Sequence, residues 1–494
     1  MIFRRYLSDF KNYIQLNKIS AIFIFIIYLV VNMNIGLAEF PYIDDIGRQL
    51  QGYSGFSEHY SRYVSEYFAH FISGGWRLTD SGLTTHVISA FILALASLIL
   101  VFVLFPKNKM SLTTAFVSTI IGINPWFLEP LSFRFDNPFM SLSILFSVTP
   151  FVFWDNKKLF ATSSIIGIFL MCNSYQASSG IYIILTLTML FLELIQGRRF
   201  REELFKVFIS IVSYSIGIVL YRFQILIKPP IFADQAKIPS LLEIFKVFIM
   251  NAKGYLENIF LQSSTIWIIL AALAIVLLII SIIRFAKTRL FSTLTYIIIW
   301  LILGSIFSYG TYLIFPVPYY LLRPRYEYGM GIFLAIILVV GLEFFKESKF
   351  LLGLKSFISG LLVFYFLSFS FVYTSSLKQQ NEMFKLQSIM LGSSLNKYVN
   401  SYTNVIYVNR FLSNSPIFNN SSSVYPILNS LIMPNTNVSW DMTMRFNSIT
   451  NLNVDFKLVD ISTIDFTNGE YTQLEETKIY NIYLQNNKLF VIMK

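Results

Sequence analysis

Charge is what this chain has least of. Only 13% of its 494 residues are Asp, Glu, Lys or Arg, whereas 55% are hydrophobic. A soluble domain carries roughly a quarter charged residues, so the composition excludes an ordinary soluble protein and implies a polytopic membrane protein. Cysteine is nearly absent, with Cys172 alone in an apolar run. Disulfides within the chain are thereby excluded, and so are cysteine-based metal clusters. No stretch matches a Walker motif, a dinucleotide fingerprint, a zinc-ligand pair at helical spacing or a nucleophile elbow. ATP-driven transport and cytosolic nucleotide chemistry lose their support. The apolar runs hold almost no ionisable residues, which a transporter pathway would need. Net charge is +11, but in a membrane protein a cationic excess reports topology, so no nucleic-acid partner follows.

Long apolar runs are abundant instead. The first, 19–37, is too long for a cleaved signal peptide and reads as a retained helix. Further runs at 83–105, 112–123, 159–171, 180–195, 207–227, 265–283, 290–315, 329–345 and 357–373, with a fourth span after Pro138, complete the set. The stretch 241–260 is amphipathic and suits a membrane surface. Several runs fall short of the usual ~20 residues, so the expectation is about nine to twelve spans. Cations cluster at alternate ends, as at Arg4 and Arg5, Lys107 and Lys109, Arg198 to Arg201, Arg284 to Arg289, and Lys346 with Lys349. The positive-inside bias then puts the N-terminus in the cytoplasm and everything after Tyr373 outside.

From Ser375 the composition turns to Asn, Ser and Thr. Helical spacing over 378–399, strand candidates at 404–410 and 454–459, and a hairpin candidate at 479–493 predict a small α/β domain. The expected fold class is therefore a mainly α polytopic helical bundle with a small C-terminal α/β domain on the outer side. The membrane domain would be 1–374, including a first outside loop at about 38–81, and the outside domain 375–494.

Polar residues concentrate on the outside connections. Glu39-Phe-Pro-Tyr-Ile-Asp-Asp-Ile-Gly-Arg48 places three carboxylates and an arginine where the first span leaves the bilayer. A carboxylate beside a sugar hydroxyl can take its proton during attack, so Asp44, Asp45 and Glu39 are the catalytic candidates. The competing reading is a polar loop with a helix cap. Arg323, Arg325 and Arg134 are candidates to hold a lipid phosphate by bidentate hydrogen bonds. The competing readings are pairing with Glu327 and a local bridge to Asp136. His59 is a candidate acceptor contact, with Tyr53 and Trp76 offering faces for sugar stacking. The three histidines, His59, His70 and His86, are spaced poorly for metal binding, and no metal or other cofactor is expected.

With these parts assembled, the chain resembles the Gtr-type serotype-specific glucosyltransferases, the phage- and prophage-encoded enzymes that decorate O-antigen. The resemblance rests on the overall length, the acidic Glu39-Phe-Pro-Tyr-Ile-Asp-Asp stretch and the terminal domain. More loosely it is similar to the wider class of membrane transferases that use polyprenyl-phosphate sugars, whose catalytic carboxylate lies in the first outside loop. The resemblance implies a bacterial inner-membrane enzyme moving glucose from undecaprenyl-phosphate-glucose to O-antigen polysaccharide at the periplasmic face. A separate enzyme would charge the lipid and a small flippase would turn it over. It also implies a single inverting displacement, with one base and no covalent intermediate, and a terminal domain that helps hold the acceptor. The alternatives are an O-antigen polymerase, which would carry its arginines in a large basic middle loop absent here, and a polysaccharide flippase.

Overall fold

The computed structural model describes residues 2–233, 237–345, 348–400, 403–466 and 469–494. Lys346, one of the cations expected at a cytoplasmic helix end, lies outside them. The described residues form two compact units: Met1–Leu37 with Tyr53–Phe371, and Ala38–Gly52 with Val372–Lys494.

In the first unit α1 (Ile2–Leu16) is amphipathic and leads into α2 (Lys18–Leu37), the first apolar helix. The next helix in the chain, α3 (Asp44–Gln51), belongs to the second unit. Back in the first unit, two short helices follow, α4 (Phe56–Tyr60) and α5 (Tyr63–Ser73). The break falls at Ser61, whose positive φ of 58° ends α4. Then follow α6 (Thr84–Leu104), α7 (Leu112–Ser118), α8 (Ile120–Ile123), α9 (Leu128–Ser132), α10 (Asn137–Val148), α11 (Lys157–Cys172) and α12 (Ser179–Ile195). The remainder are α13 (Phe200–Ile227), α14 (Leu241–Gln262), α15 (Thr265–Phe285), α16 (Leu290–Phe307), α17 (Tyr319–Leu322), α18 (Gly329–Glu343) and α19 (Lys349–Leu395).

Seven helices among the described residues are long and apolar enough to cross a membrane, and three shorter apolar helices accompany them. The protein is a multi-pass, mainly α membrane protein. Helices α6 and α12 are buried around most of their girth, whereas α13 and α16 expose most of theirs. An apolar surface that faces no protein is stable only against lipid. Small and hydroxylic residues hold the centre: Tyr28 bonds Ser97 at 2.8 Å, Ser89 bonds Ser141 at 2.6 Å, and Ser178 bonds both Ser143 and Tyr328 at 2.7 Å. In a setting without water such bonds satisfy groups that would otherwise stay unpaired. Glycine lets backbones meet, since a Cβ at Gly180 or Gly329 would collide with the Ser308 carbonyl.

Helix α19 runs unbroken for 47 residues, and its C-terminal half, from Val372, belongs to the second unit. The sequence offers no glycine or proline between Gly360 and Gly392 to interrupt it. The expected last span and the expected helix 378–399 are thus one helix. The second unit continues with β1 (Val405–Val408), α20 (Pro416–Val424), α21 (Leu428–Leu431), α22 (Trp440–Thr450), β2 (Asp455–Leu458), β3 (Thr472–Glu476), β4 (Tyr480–Gln485) and β5 (Lys488–Met493). The sheet order is β2-β1-β5-β4-β3, with β1 parallel to both β2 and β5. The expected hairpin is β4–β5, turned by Asn486 and Asn487 at φ 46° and 60°. Two successive positive φ values are what a two-residue hairpin turn requires, and asparagine tolerates them. Phe384, Leu391 and Leu395 of α19, with Phe446 of α22, pack on Ile406, Val408, Phe456, Ile482 and Val491 to make the core. Strand β3 escapes sequence reading because Thr-Gln-Leu-Glu-Glu has little β character; charge on an edge strand guards against further pairing.

Candidate active site

In the first unit the connections between apolar helices gather charge around one carboxylate. Glu129, in the short helix α9, is completely buried. Its Oε1 lies 3.4 Å from Nε of Arg323 and 3.3 Å from Nη1 of Arg325, and its Oε2 accepts the Arg325 backbone N–H at 2.9 Å. The Arg325 guanidinium sits over the rings of Phe133 and Tyr326, at 5.0 and 5.3 Å. Planar guanidinium suits such stacking while keeping its edge for oxygen acceptors. Two arginines thus meet on one carboxylate in a mostly buried place. Charges there keep their strength because little water screens them.

Glu327, two residues on, is fully buried as well and accepts a hydrogen bond from Asn258 at 2.9 Å. Burial pushes its carboxyl well above the usual carboxylate range. Neighbouring acids are thus held differently, one against guanidinium and one by an amide.

Beside this cluster lies a cavity of about 140 Å³ whose wall includes Tyr60, Arg62, Gln176, Tyr312, Tyr319 and Tyr326. Arg62 is held between the rings of Tyr60 and Tyr175, 4.7 Å from each, and donates to Gln176 at 2.9 Å. A second, apolar groove of about 300 Å³ is walled by Trp126, Trp267, Ala271, Phe333, Ile337 and Phe366. Trp126 bonds Gln262 at 2.8 Å, and the turn Pro125–Phe127 packs on the turn Pro324–Tyr326 that carries Arg325. Trp126 thus belongs both to the groove wall and to the turn packed against that of Arg325.

The acidic stretch folds in the second unit. Asn381 of α19 donates to the carbonyls of Ala38 and Glu39 at 3.3 and 2.9 Å, and the Tyr42 hydroxyl donates to the Leu431 carbonyl. Arg445 of α22 stacks on Phe40 at 4.9 Å and Phe384 at 4.1 Å. Glu39 and Ile43 have φ of 49° and 44°. Positive φ at a β-branched residue is strained, and such strain persists only where surrounding structure enforces it. The three carboxylates end up in different environments. Asp45 is fully buried, and its Oδ2 accepts the Tyr42 N–H at 3.0 Å while its own N–H donates to the Tyr42 carbonyl at 3.0 Å. That reciprocal pair closes the first turn of α3. Asp44 remains 34% exposed, with Arg48 no nearer than 3.8 Å. Glu39 is exposed.

The other candidates divide. Arg134 pairs with Asp80 at 2.5 Å. His59 lines the tyrosine-walled cavity and packs against Tyr53 at 5.7 Å and Phe232 at 5.4 Å, while the Tyr53 hydroxyl donates to Glu58. Trp76 stands apart, 82% exposed, its ring against His70. Among the described residues no group of three or more His, Cys, Asp or Glu side chains could hold a metal ion. Sequence reading passed over Glu129, Arg62 and Glu327 as functional groups. Their signal was present: Glu129 and Glu327 are ionisable residues in connections rich in aromatics and proline, and Arg62 stands between Tyr60 and Tyr63.

A family model described as glucosyl transferase GtrII matches residues 33–339. The chain belongs to the GtrII family. It is a glucosyltransferase-family membrane protein, and the matched region contains the acidic stretch, Glu129 and both Arg323 and Arg325. The strands of the second unit lie beyond the GtrII match. Over 185 residues the chain is 25% identical to a protein of Salmonella phage P22 described as an uncharacterized 55.3 kDa protein in the gtrB 5′ region, covering 37% of this chain and 38% of that protein. The chain thus spans about two-fifths of the length of the curated relative it matches. No solved structure matches.

Proposed function

We propose that this GtrII-family protein transfers glucose from undecaprenyl-phosphate-glucose to O-antigen polysaccharide at the periplasmic face of the bacterial inner membrane. The observation that carries the reading is the apolar groove whose Trp126 lies in the turn packed against that of Arg325. A polyprenyl chain needs an apolar wall and its phosphate needs cations, and the first unit holds both kinds of group. The tyrosine-walled cavity, with Arg62 and His59, suits the glucose, because aromatic faces and hydroxyls match a sugar's own.

In the proposed reaction an acceptor hydroxyl attacks the anomeric carbon as Asp44 takes its proton. The bond from that carbon to the phosphate oxygen breaks, and undecaprenyl phosphate leaves with its charge met by Arg323 and Arg325. Of the three carboxylates, Asp44 fits the role of base best because Asp45 is committed to its own turn and Glu39 has only its backbone anchored. The orientation goes with this reading: N-terminus in the cytoplasm, second unit in the periplasm. So do the partners, a donor-synthesising glucosyltransferase and a small flippase.

The test is lipopolysaccharide from cells carrying those partners and this protein, wild type or with Asp44→Asn, Asp45→Asn or Glu39→Gln, analysed for added hexose at matched membrane abundance. Loss of the hexose in Asp44→Asn alone supports the assignment. Normal glycosylation by all three variants removes the carboxylate base from the mechanism. No hexose from wild type removes the transferase reading.

A further inference from the structure

The second unit carries a cleft of about 890 Å³ that the transfer chemistry does not use. Its wall includes Leu50 of α3, Trp440 and Thr443 of α22, and Asn451, Asn453 and Asp455 beyond that helix. Trp440 is 55% exposed, a large aromatic surface to leave in water. Its ring rests over α3, 3.8 Å from where a Cβ on Gly47 would be. Asn447 clamps the backbone of Val454 through two bonds of 2.8 and 3.0 Å, which fixes the turn after α22. In that turn Asn451 and Asn453 take φ of 57° and 54°, and both side chains are exposed without a side-chain hydrogen bond among the described residues. The wall contains no lysine, arginine or histidine and a single carboxylate. An anion would find no counter-charge there. An aromatic face flanked by free amides and a hydroxyl matches a neutral, polyhydroxylated chain.

We propose that this cleft binds the acceptor as a neutral polysaccharide and leads it along α3 to Asp44. The inference rests on the function proposed above, since it takes that acceptor to be polysaccharide. Helix α3 makes the link: Leu50, in its last turn, walls the cleft, and Asp44 opens its first turn, about 9 Å away along the axis at ~1.5 Å per residue. A cleft of this size falls in the range of roughly 300–1,000 Å³ typical of small-molecule sites. It holds a short run of linked sugars.

The experiment uses the full-length protein in lipid nanodiscs with delipidated, unmodified neutral O-polysaccharides as probes and polygalacturonate as the anionic control. The variants are Trp440→Ala, Trp440→Phe and an Asn451→Gly, Asn453→Gly pair; glycine accepts the positive φ, so the pair removes amides without disturbing the turn. Direct binding and transfer kinetics are read together. A neutral chain binding wild type, with Trp440→Ala weakening it roughly tenfold, about the worth of one stacked ring, and Trp440→Phe restoring it, supports the cleft. In transfer the loss then sits in KM for polysaccharide. If Trp440→Ala binds and transfers as wild type does, the cleft assignment is overturned while the transferase reading stands. If wild type transfers nothing yet binds neutral chains through Trp440, the cleft stands and the transferase reading falls. If no neutral chain binds, or polygalacturonate binds equally well, the cleft assignment is overturned.

Discussion

Substituting Glu129→Gln keeps the shape of the side chain and removes one negative charge from between two guanidinium groups. At 3.3 and 3.4 Å each pair attracts by about 5 kcal/mol at an effective dielectric constant of ~20. Water reaches part of both arginines, which are 14% and 19% exposed, and the cations repel each other. Removal of one partner from a buried pair costs about 3–5 kcal/mol, because charge is left without compensation. The variant should therefore lose about 3 kcal/mol of stability. For a chain of this size one kcal/mol moves the midpoint by about 1–2 °C, extending the trend for smaller domains, so the fall should be about 3–6 °C. A fluorescence melt of the protein in nanodiscs reads this. With one negative charge fewer beside them, the arginines should attract an anionic ligand more strongly. Undecaprenyl phosphate at about 100 times its dissociation constant should raise either midpoint by the equivalent of ~2.7 kcal/mol, and at a fixed lipid concentration the variant should gain more than wild type. A wild-type midpoint in Glu129→Gln would refute the buried cluster. A normal loss of stability with no extra response to the lipid would refute its role in holding phosphate.

Three further outcomes follow from the same structure. Asp45→Asn should lower the amount of folded protein, by about 1–3 kcal/mol for a weakened buried bond to the Tyr42 N–H, whereas Asp44→Asn should keep folded protein and lose hexose transfer; quantitative blots of membranes beside lipopolysaccharide analysis separate the two. Glu327 holds its proton above the usual 4.5, so between 4.5 and its raised value the folded state binds more protons than the unfolded one, and stability falls as pH rises by up to about 1.4 kcal/mol per unit. Melts at about pH 5 to 8 should show wild type losing ground to Glu327→Gln as pH increases. Gly180→Ala should cost about 1–3 kcal/mol through overpacking, because the new methyl meets the Ser308 carbonyl, and its detergent-solubilised protein should melt several degrees lower than wild type.

How much of this was legible depended on whether the information was local. The apolar runs announced the helices of the first unit because lipid imposes one rule on every residue of a span. The β4–β5 hairpin was readable from its Asn-Asn turn, and the helix 241–260 from its periodicity, which matches α14 (Leu241–Gln262). Long-range pairing was not readable. Arg323 and Arg325 stand out as phosphate-binding candidates, but the sequence does not show that they pair with Glu129, 194 and 196 residues away in α9. Nothing near Glu129 says that it will be buried against them. Likewise the sequence offers Glu58 and Glu66 as loop charges, while the fold turns Glu66 inward, where it accepts from the Ser57 N–H at 2.9 Å and pairs with His70 at 2.9 Å.

The acidic stretch shows why neighbouring residues of one type need not share a role. Asp44 and Asp45 are adjacent, yet a helix turns about 100° between them, so when α3 packs on α22 one carboxylate faces in and the other faces out. The inward one is buried and accepts the Tyr42 N–H; the outward one stays partly exposed, with Arg48 3.8 Å away. Which residue faces inward is set by the second unit, whose Asn381 and Arg445 hold 38–40 and whose Leu431 takes the Tyr42 hydroxyl. The candidate base is therefore oriented by residues more than 300 positions downstream, all of them beyond the GtrII match. Substitutions at Asn381, Leu431 or Arg445 should then change how Asp44 is presented even though none of them touches its carboxylate.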